Sequence, residues 1–592
     1  MQAMQAESSN PEGYSRLASV RAYAAAAGLI SASAAFSFNF NSFLHAKEAV
    51  LCILLVLLAV MSIGKSMSAE GYMAFTPLWM FLAQSVLFRI AFFPSHVPSD
   101  SIEECVRVSL VLLFIVQTYD LLCIERFRRT ILLSMRASAS LVAALALAQY
   151  AGFGTAFWPV FPGYPQQLYS VFANHDLLGG LLAMTLPLTL GQEKRGRIEI
   201  AISIFEAALI AFVLLLSGCR GAWIAAAAGC IVCFPKGAAV RTWVKPVTIM
   251  VCAGVLATIL APQITVGRFM GMFSSADYGR DLRTWFFAGA WAMFLKNPLI
   301  GVGLGNYAYW SPYFQGAVLQ SAGPGAYTHN AVHTLHPHND YLEILAETGL
   351  AGAAFTGWMA FRTLRCFKRG GVGGASVAFA VFALSGYPVH STIHLLFGLA
   401  CVACLLTEHG LIAKPTPETS TPIRVRAGTF GFAAITLAAA IFYGAAVIYP
   451  SYFLRQADKA ALAGTASVPL YERAAEVGWP DALMRFRFAL ALRSAGRHAD
   501  ALDQLWIAGE GLDTAEFYRA MGAVNLKIGN AVPAQESFRA SLWRAPSDTE
   551  SYVGLLRVVS PSDIPGVLYL AEQWLDPRGF EQVNRAAGTL IH

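Results

Sequence analysis

Charge is what this chain of 592 residues has least of: Asp, Glu, Lys and Arg together make up 13% of it, about half the share found in soluble domains. With 56% hydrophobic residues, that scarcity excludes an ordinary water-soluble fold. Period-two alternation is missing from the apolar runs, which are continuous, so a transmembrane β-barrel is excluded in favour of helices. Cysteine spacing of the kind that holds zinc or builds a disulfide framework is also missing. The ten cysteines sit in or beside the apolar runs, with none after Cys404, and read as small packing residues. No small-residue cleavage site follows the polar start, so the first run reads as a retained helix.

Lys and Arg are absent from short connections such as "FFPSHVPSDSIEE" and "GFGTAFWPVFPGYPQQLYSVFANH". They gather instead in the alternate ones, as Arg126, Arg128 and Arg129; Lys194, Arg195 and Arg197; Lys236, Arg241 and Lys245; Arg362, Arg365, Lys368 and Arg369; and Lys414, Arg424 and Arg426. Basic connections face the cytoplasm. The N-terminus is therefore expected inside and the C-terminus outside, and the net charge of +6 calls for no nucleic acid.

Apolar runs near the length that crosses about 30 Å of hydrocarbon number about thirteen. They fall at 21–44, 49–64, 72–94, 105–123, 130–152, 176–191, 199–217, 221–234, 246–262, 342–361, 374–391, 393–408 and 428–449. The expected fold is all-α: a polytopic bundle over 21–449 after a cytoplasmic tail at 1–20, with a long outside connection at 263–341 and an outside helical region at 450–592. In that last region "ALALRSAGRHADALDQL" superposes on "GAVNLKIGNAVPAQESF", with Gly496 opposite Gly529 and Ala501 opposite Ala534. A period near 33 to 34 residues with Gly in the turn is what tetratricopeptide-type repeats show. Either a plain stabilising domain or a docking surface for a partner protein or glycan fits it.

The outside connection carries the chemistry. Its middle, Asp281 to Leu295, reads as a helix with Asp281 near its start and Lys296 near its end, matching the macrodipole. "GVGLGN" after it offers backbone N–H groups that suit an anion, but the G-x-G-x-x-G dinucleotide pattern is absent. Arg220, in "LLLSGCRGAWIAA", stands at the end of two apolar runs, where a charge costs about 2.5 to 3.5 kcal/mol. A carboxylate, a lipid phosphate or a bound anionic substrate would compensate it. Arg280 and Arg283 lie on the same expected side, and converging guanidinium groups make a diphosphate clamp.

"HTLHPHNDYLEILAETGLAG", residues 333–352, then gathers His333, His336, His338, Asn339, Asp340 and Glu343 beside an apolar helix. With His329, these histidines suit metal ligation, but no H-E-x-x-H spacing occurs. Ordinary interfacial polarity fits them too. The functional reading is general-base catalysis, in which an imidazole takes a proton from a hydroxyl, with Asn339, Asp340, Glu343 and His336 orienting it or binding the acceptor.

"VFANHDLLGGLLAMTLPL", "SGCRGAWIA", "LRTWFFAGAWAMFLKNPLIGVGLGNY" and "HPHNDYLEILAETGLAGA", in that order over roughly residues 50–410, resemble the O-antigen ligase and O-antigen polymerase superfamily of membrane glycosyltransferases. The resemblance implies transfer of a glycan from a polyprenyl (undecaprenyl) diphosphate to an acceptor hydroxyl at the periplasmic face of a bacterial inner membrane. It further implies Arg220 and Arg283 as diphosphate ligands and His338 as the base, with no metal or other cofactor. The expected partners are the lipid-linked glycan, a lipid or glycan acceptor, the bilayer and, through the tail, polysaccharide-assembly proteins. The added tail resembles forms that polymerise exopolysaccharide or glycosylate proteins. A transporter of lipid-linked sugars is the reading from another class, but the repeat between membrane halves that such proteins show is not found in the sequence.

Overall fold

The computed structural model describes residues 16–37, 42–63, 69–92, 99–153, 168–191, 196–234, 240–271, 278–325, 334–408, 423–477 and 481–591. Every regular element among them is helical. Each of the thirteen expected apolar runs is helical, with bounds shifted by several residues: the run expected at 21–44 is Arg16–Ala34, that at 374–391 is Gly371–Phe382, and that at 72–94 is divided between Ala69–Ala74 and Thr76–Phe92. His329 and His333 lie outside the described residues.

Seven of these helices are long and apolar enough to cross a membrane, or eight if the bent pair Val247–Leu260 and Pro262–Gly271 counts as one span. That is fewer than thirteen, and the shortfall has a physical cause. Thr76–Phe88, Arg220–Cys233, Gly371–Phe382 and Thr392–Glu408 are apolar but short. The helix His175–Gly191 is buried along nearly its whole length, so its neighbours are protein rather than lipid.

The centre of the bundle is built from His175–Gly191, Arg220–Cys233 and Gly371–Phe382. Small residues let these helices meet. A Cβ on Gly229 would stand 2.6 Å from the Gly374 carbonyl oxygen, an approach only glycine permits and one that membrane helix pairs favour. Deep charges are paired across helices: Arg21 donates to Asp120 at 2.7 Å, and Arg136 pairs with Glu206 and donates to Ser203. Removing one partner of such a pair leaves an uncompensated buried charge.

Several basic connections converge at one end of the bundle, where Arg129 meets Glu199 and both Arg128 and Lys368 meet Glu408. The first turns of His175–Gly191, Arg220–Cys233 and Asp340–Arg365 point the other way and carry the polar cluster described below.

The last apolar helix runs from Ile423 through a short π-helical turn at Gly444–Ile448 into Tyr449–Leu462. The expected boundary near 449 therefore falls inside continuous helix. Beyond it, helices pair as hairpins, Ala482–Ser494 with His498–Ala508 and Ala515–Lys527 with Ala531–Arg544. Gly496 and Gly529 occupy the two turns with φ of +78° and +88°, and Ala501 and Ala534 are both fully buried, as their superposition predicts. The second hairpin leans on the helix Tyr307–Ala322: the Trp543 and Tyr313 rings lie 6.1 Å apart and Arg544 sits over Tyr313.

Candidate functional site

Asn174 starts the site. Its Oδ1 accepts from the Asp176 N–H at 2.7 Å, capping the helix His175–Gly191 and fixing Asp176 in the first turn, where the helix dipole favours an anion. Asp176 is 6% exposed. Arg283 Nη2 approaches its Oδ2 at 3.9 Å and His338 Nδ1 approaches the same oxygen at 3.8 Å. The Cys219 thiol lies beside Asp176 as well, which brings the turn that ends in Arg220 against the same carboxylate. One buried carboxylate thus gathers Arg283, His338 and the "SGCR" turn.

Arg283 makes no hydrogen bond among the described residues, and its contact with Asp176 is too long to be one, so its donor fork remains open to phosphate oxygens. Arg280 lies one turn earlier on the same helix, Tyr278–Lys296, and is exposed. Arg220 opens its own helix, Arg220–Cys233.

His338 adopts φ of +59°, a left-handed conformation that costs a non-glycine residue free energy and collects at functional sites. Its ring stacks on Phe286 and meets Tyr387 edge-on, and its Nδ1 is buried without a hydrogen-bond partner. Burial drives its pKa down to about 4; Arg283 and His336 push the same way, and Asp176 and Glu343 oppose them. His338 is accordingly a neutral imidazole near neutral pH.

Asn339 is engaged with the backbone. Its Oδ1 accepts from the N–H groups of Tyr341 and Leu342, both at 3.1 Å, so it is the N-cap of Asp340–Arg365. Asp340 is likewise turned inward. Its Oδ2 accepts from the Val389 N–H at 2.9 Å and its own N–H donates to the Ala383 carbonyl, pinning the connection after Gly371–Phe382. These two residues build the site instead of lining it.

His336 and Glu343 belong to a second cluster behind His338. His336 Nδ1 lies 2.8 Å from Glu343 Oε1, and His390 Nε2 lies 3.2 Å from Glu343 Oε2. His390 Nδ1 in turn meets Glu104 at 3.2 Å, and Glu104 pairs with Arg107. Tyr387 stacks on His336 and accepts from the Asn174 side-chain amide at 2.6 Å, joining the two clusters.

His336, Glu343 and His390 also form a group with metal-type donor atoms all within 4.8 Å of one another. Burial opposes the charged form of His390, in the connection before Thr392–Glu408, but Glu343 and Glu104 outweigh it and raise its pKa well above the ordinary histidine value.

"GVGLGN" does meet a carboxyl group, one supplied by the protein. The Tyr307 N–H just after it donates to Glu347 Oε1 at 2.8 Å, and the Val302 and Gly303 N–H groups donate to the carbonyls of Ala346 and Glu347. The helix Asp340–Arg365 kinks at Gly349, with φ of +61°, to admit this loop. A Cβ on Gly301 would stand 2.2 Å from the Glu347 carbonyl carbon. The loop locks the histidine-bearing helix to the arginine-bearing one.

Sequence reasoning missed Asp176, which lay inside a quoted motif without being singled out, and His390, Glu104, Arg107 and Tyr387. Residues 205–357 match the sequence model of a family described as O-Antigen ligase. The match takes in Arg220, Arg283, His336, His338 and Glu343 and leaves Asp176, His390 and Glu104 outside it. A search among curated proteins found no match.

Proposed function

From the premise that this helical bundle is a membrane protein of the O-antigen ligase and polymerase superfamily, with a role in O-antigen-type glycan transfer, we propose that it takes the glycan from a polyprenyl diphosphate. The acceptor is a hydroxyl of a lipid or a growing polysaccharide. The reaction occurs at the outer face of the bacterial inner membrane, with the N-terminus inside and the helical tail from about 450 outside. The observation that carries this reading is the shared carboxylate: a cation with open donors and a neutral imidazole face Asp176 at 3.9 and 3.8 Å.

In this reading Arg220 and Arg283 bind the diphosphate, with Arg280 at the rim. The acceptor oxygen forms a bond to the anomeric carbon as the bond from that carbon to the diphosphate breaks. The electron pair leaves on the diphosphate, where the guanidinium groups stabilise it. The acceptor proton passes to His338, whose depressed pKa keeps it free to receive one. Asp176 holds both partners in register and stabilises the resulting imidazolium, in the manner of a buried carboxylate behind a catalytic histidine. A sugar diphosphate is already activated, so no metal is required. One displacement inverts the anomeric carbon.

The test is transfer by purified, detergent-solubilised protein from a defined undecaprenyl-diphosphate oligosaccharide to candidate acceptors, with the product's anomeric configuration determined. Inverted product with release of undecaprenyl diphosphate is expected. Retained configuration contradicts the single displacement. Absence of transfer, with movement of the lipid-linked sugar across liposomes, turns the assignment to a transporter.

A further inference from the structure

After Val247–Leu260 the chain turns through 107° into Pro262–Gly271, so this segment leaves the line of the preceding span. Two of its residues pack against the turn before Arg220. A Cβ on Gly218 would lie 3.2 Å from Ile264 Cγ2 and 3.8 Å from both Cγ and Nε of Arg268. The end of the segment closes on the arginine itself, since a Cβ on Gly271 would lie 3.8 Å from Arg220 Nη1. Arg268 is half-buried, and among the described residues its guanidinium has no hydrogen bond or ion pair. The Arg268 side chain thus lies against the turn that leads into Arg220, and the Arg220 guanidinium against the end of the segment; both groups remain charged at any working pH, so the seam between segment and turn is cationic and attracts an anion.

On the segment's outward side, Val266, Phe269 and Met270 are 45%, 49% and 60% exposed. A run of large apolar side chains on the rim of a membrane bundle faces acyl chains at little cost. The segment therefore presents a cation inward to the turn before Arg220 and hydrocarbon outward to lipid, which is the polarity of a prenyl diphosphate.

We propose that Pro262–Gly271 is the docking element for the donor lipid, with Arg268 gripping the diphosphate beside Arg220 and with Val266 and Met270 receiving the first isoprene units as the headgroup enters sideways from the membrane. This rests on the glycan-transfer reading above and adds the route and a third ligand to it. Arg268 binds the leaving diphosphate and takes no proton. Its loss acts on donor affinity and spares acceptor affinity.

Binding of undecaprenyl diphosphate and of inorganic pyrophosphate to the full-length protein in nanodiscs tests it. Arg268→Gln is expected to weaken both about tenfold or more, the loss of one charge-assisted contact, and Arg268→Lys to recover part of that loss. The pair Val266→Asn and Met270→Asn is expected to weaken the lipid alone. Wild-type binding of the lipid that Arg268→Gln leaves intact overturns the inference and leaves the glycosyltransferase reading standing. Unchanged lipid affinity in the Val266 and Met270 pair overturns the sideways route in favour of a water-borne diphosphate. Wild-type protein that does not bind the lipid overturns the reading, and the inference with it.

Discussion

His338 Nδ1 stands 3.8 Å from Asp176 Oδ2, across a separation of more than 160 positions in the chain. The imidazole belongs to the connection before Asp340–Arg365 and the carboxylate to the first turn of His175–Gly191. Arg283 reaches the same oxygen, so a single substitution at Asp176 disturbs both the base and the diphosphate cation.

Asp176→Asn should keep the capped helix turn and lose the charge. It is expected to lower kcat/KM about 100-fold, in the range that positioned acid–base groups contribute, with little change in thermal unfolding. An acidic limb of the pH profile that moves down in this variant identifies loss of its electrostatic support to His338. A fall in rate with an unmoved limb assigns Asp176 to holding Arg283 alone.

The pH dependence of wild type follows from His338. Its pKa of about 4 means that the base is present above that pH and is lost as pH falls through it. The acidic limb of kcat/KM, which reports the free enzyme, is therefore expected near pH 4 in place of the ordinary histidine value near 6.5. Arg283 depresses this pKa, so Arg283→Gln should shift the limb upward. A wild-type limb at 6 to 7 contradicts the buried, neutral imidazole.

Glu347 tests the lock between the two halves of the site. Glu347→Gln keeps an acceptor for the Tyr307 N–H, whereas Glu347→Ala strands it; a buried unsatisfied donor costs about 1–3 kcal/mol. The alanine variant should unfold at lower temperature and the glutamine variant close to wild type. Equal unfolding temperatures for wild type and both variants contradict the lock.

Chelation tests the histidine–glutamate cluster. With His390 held as an imidazolium between Glu343 and Glu104, EDTA is expected to leave transfer unchanged, and His390→Gln to lower the rate through misplacement of His336. Loss of transfer on chelation with recovery on adding Zn²⁺ or Mn²⁺ contradicts the hydrogen-bonded reading and makes the trio a metal site.

Much of the fold was legible because hydrocarbon length and apolar continuity are local properties: all thirteen runs are helical. Their number as full spans was not, because a buried helix such as His175–Gly191 carries the same composition as a lipid-facing one. The site divides in the same way. The histidine stretch, Arg220 and Arg283 stood out as polar groups in apolar surroundings. His390 and Glu104 gave no such signal, being separated in the chain from each other and from Glu343 with no spacing to link them. Asn339 and Asp340 were legible as orienting or acceptor-binding residues, but which of the two was not, since a helix cap and a pin to Val389 look in sequence like any polar pair beside a histidine. The partner of "GVGLGN" was not legible, because the Glu347 carboxyl group lies 40 residues beyond Tyr307, within the next motif.

The most direct measurement is single-turnover transfer from an undecaprenyl-diphosphate oligosaccharide by wild type and His338→Ala, with donor binding determined on the same preparations. The account predicts that the variant binds the donor with near-normal affinity and transfers its glycan about 100- to 10,000-fold more slowly, the span a positioned general base supplies. Transfer at the wild-type rate by the variant contradicts it and moves the base from His338 to another group.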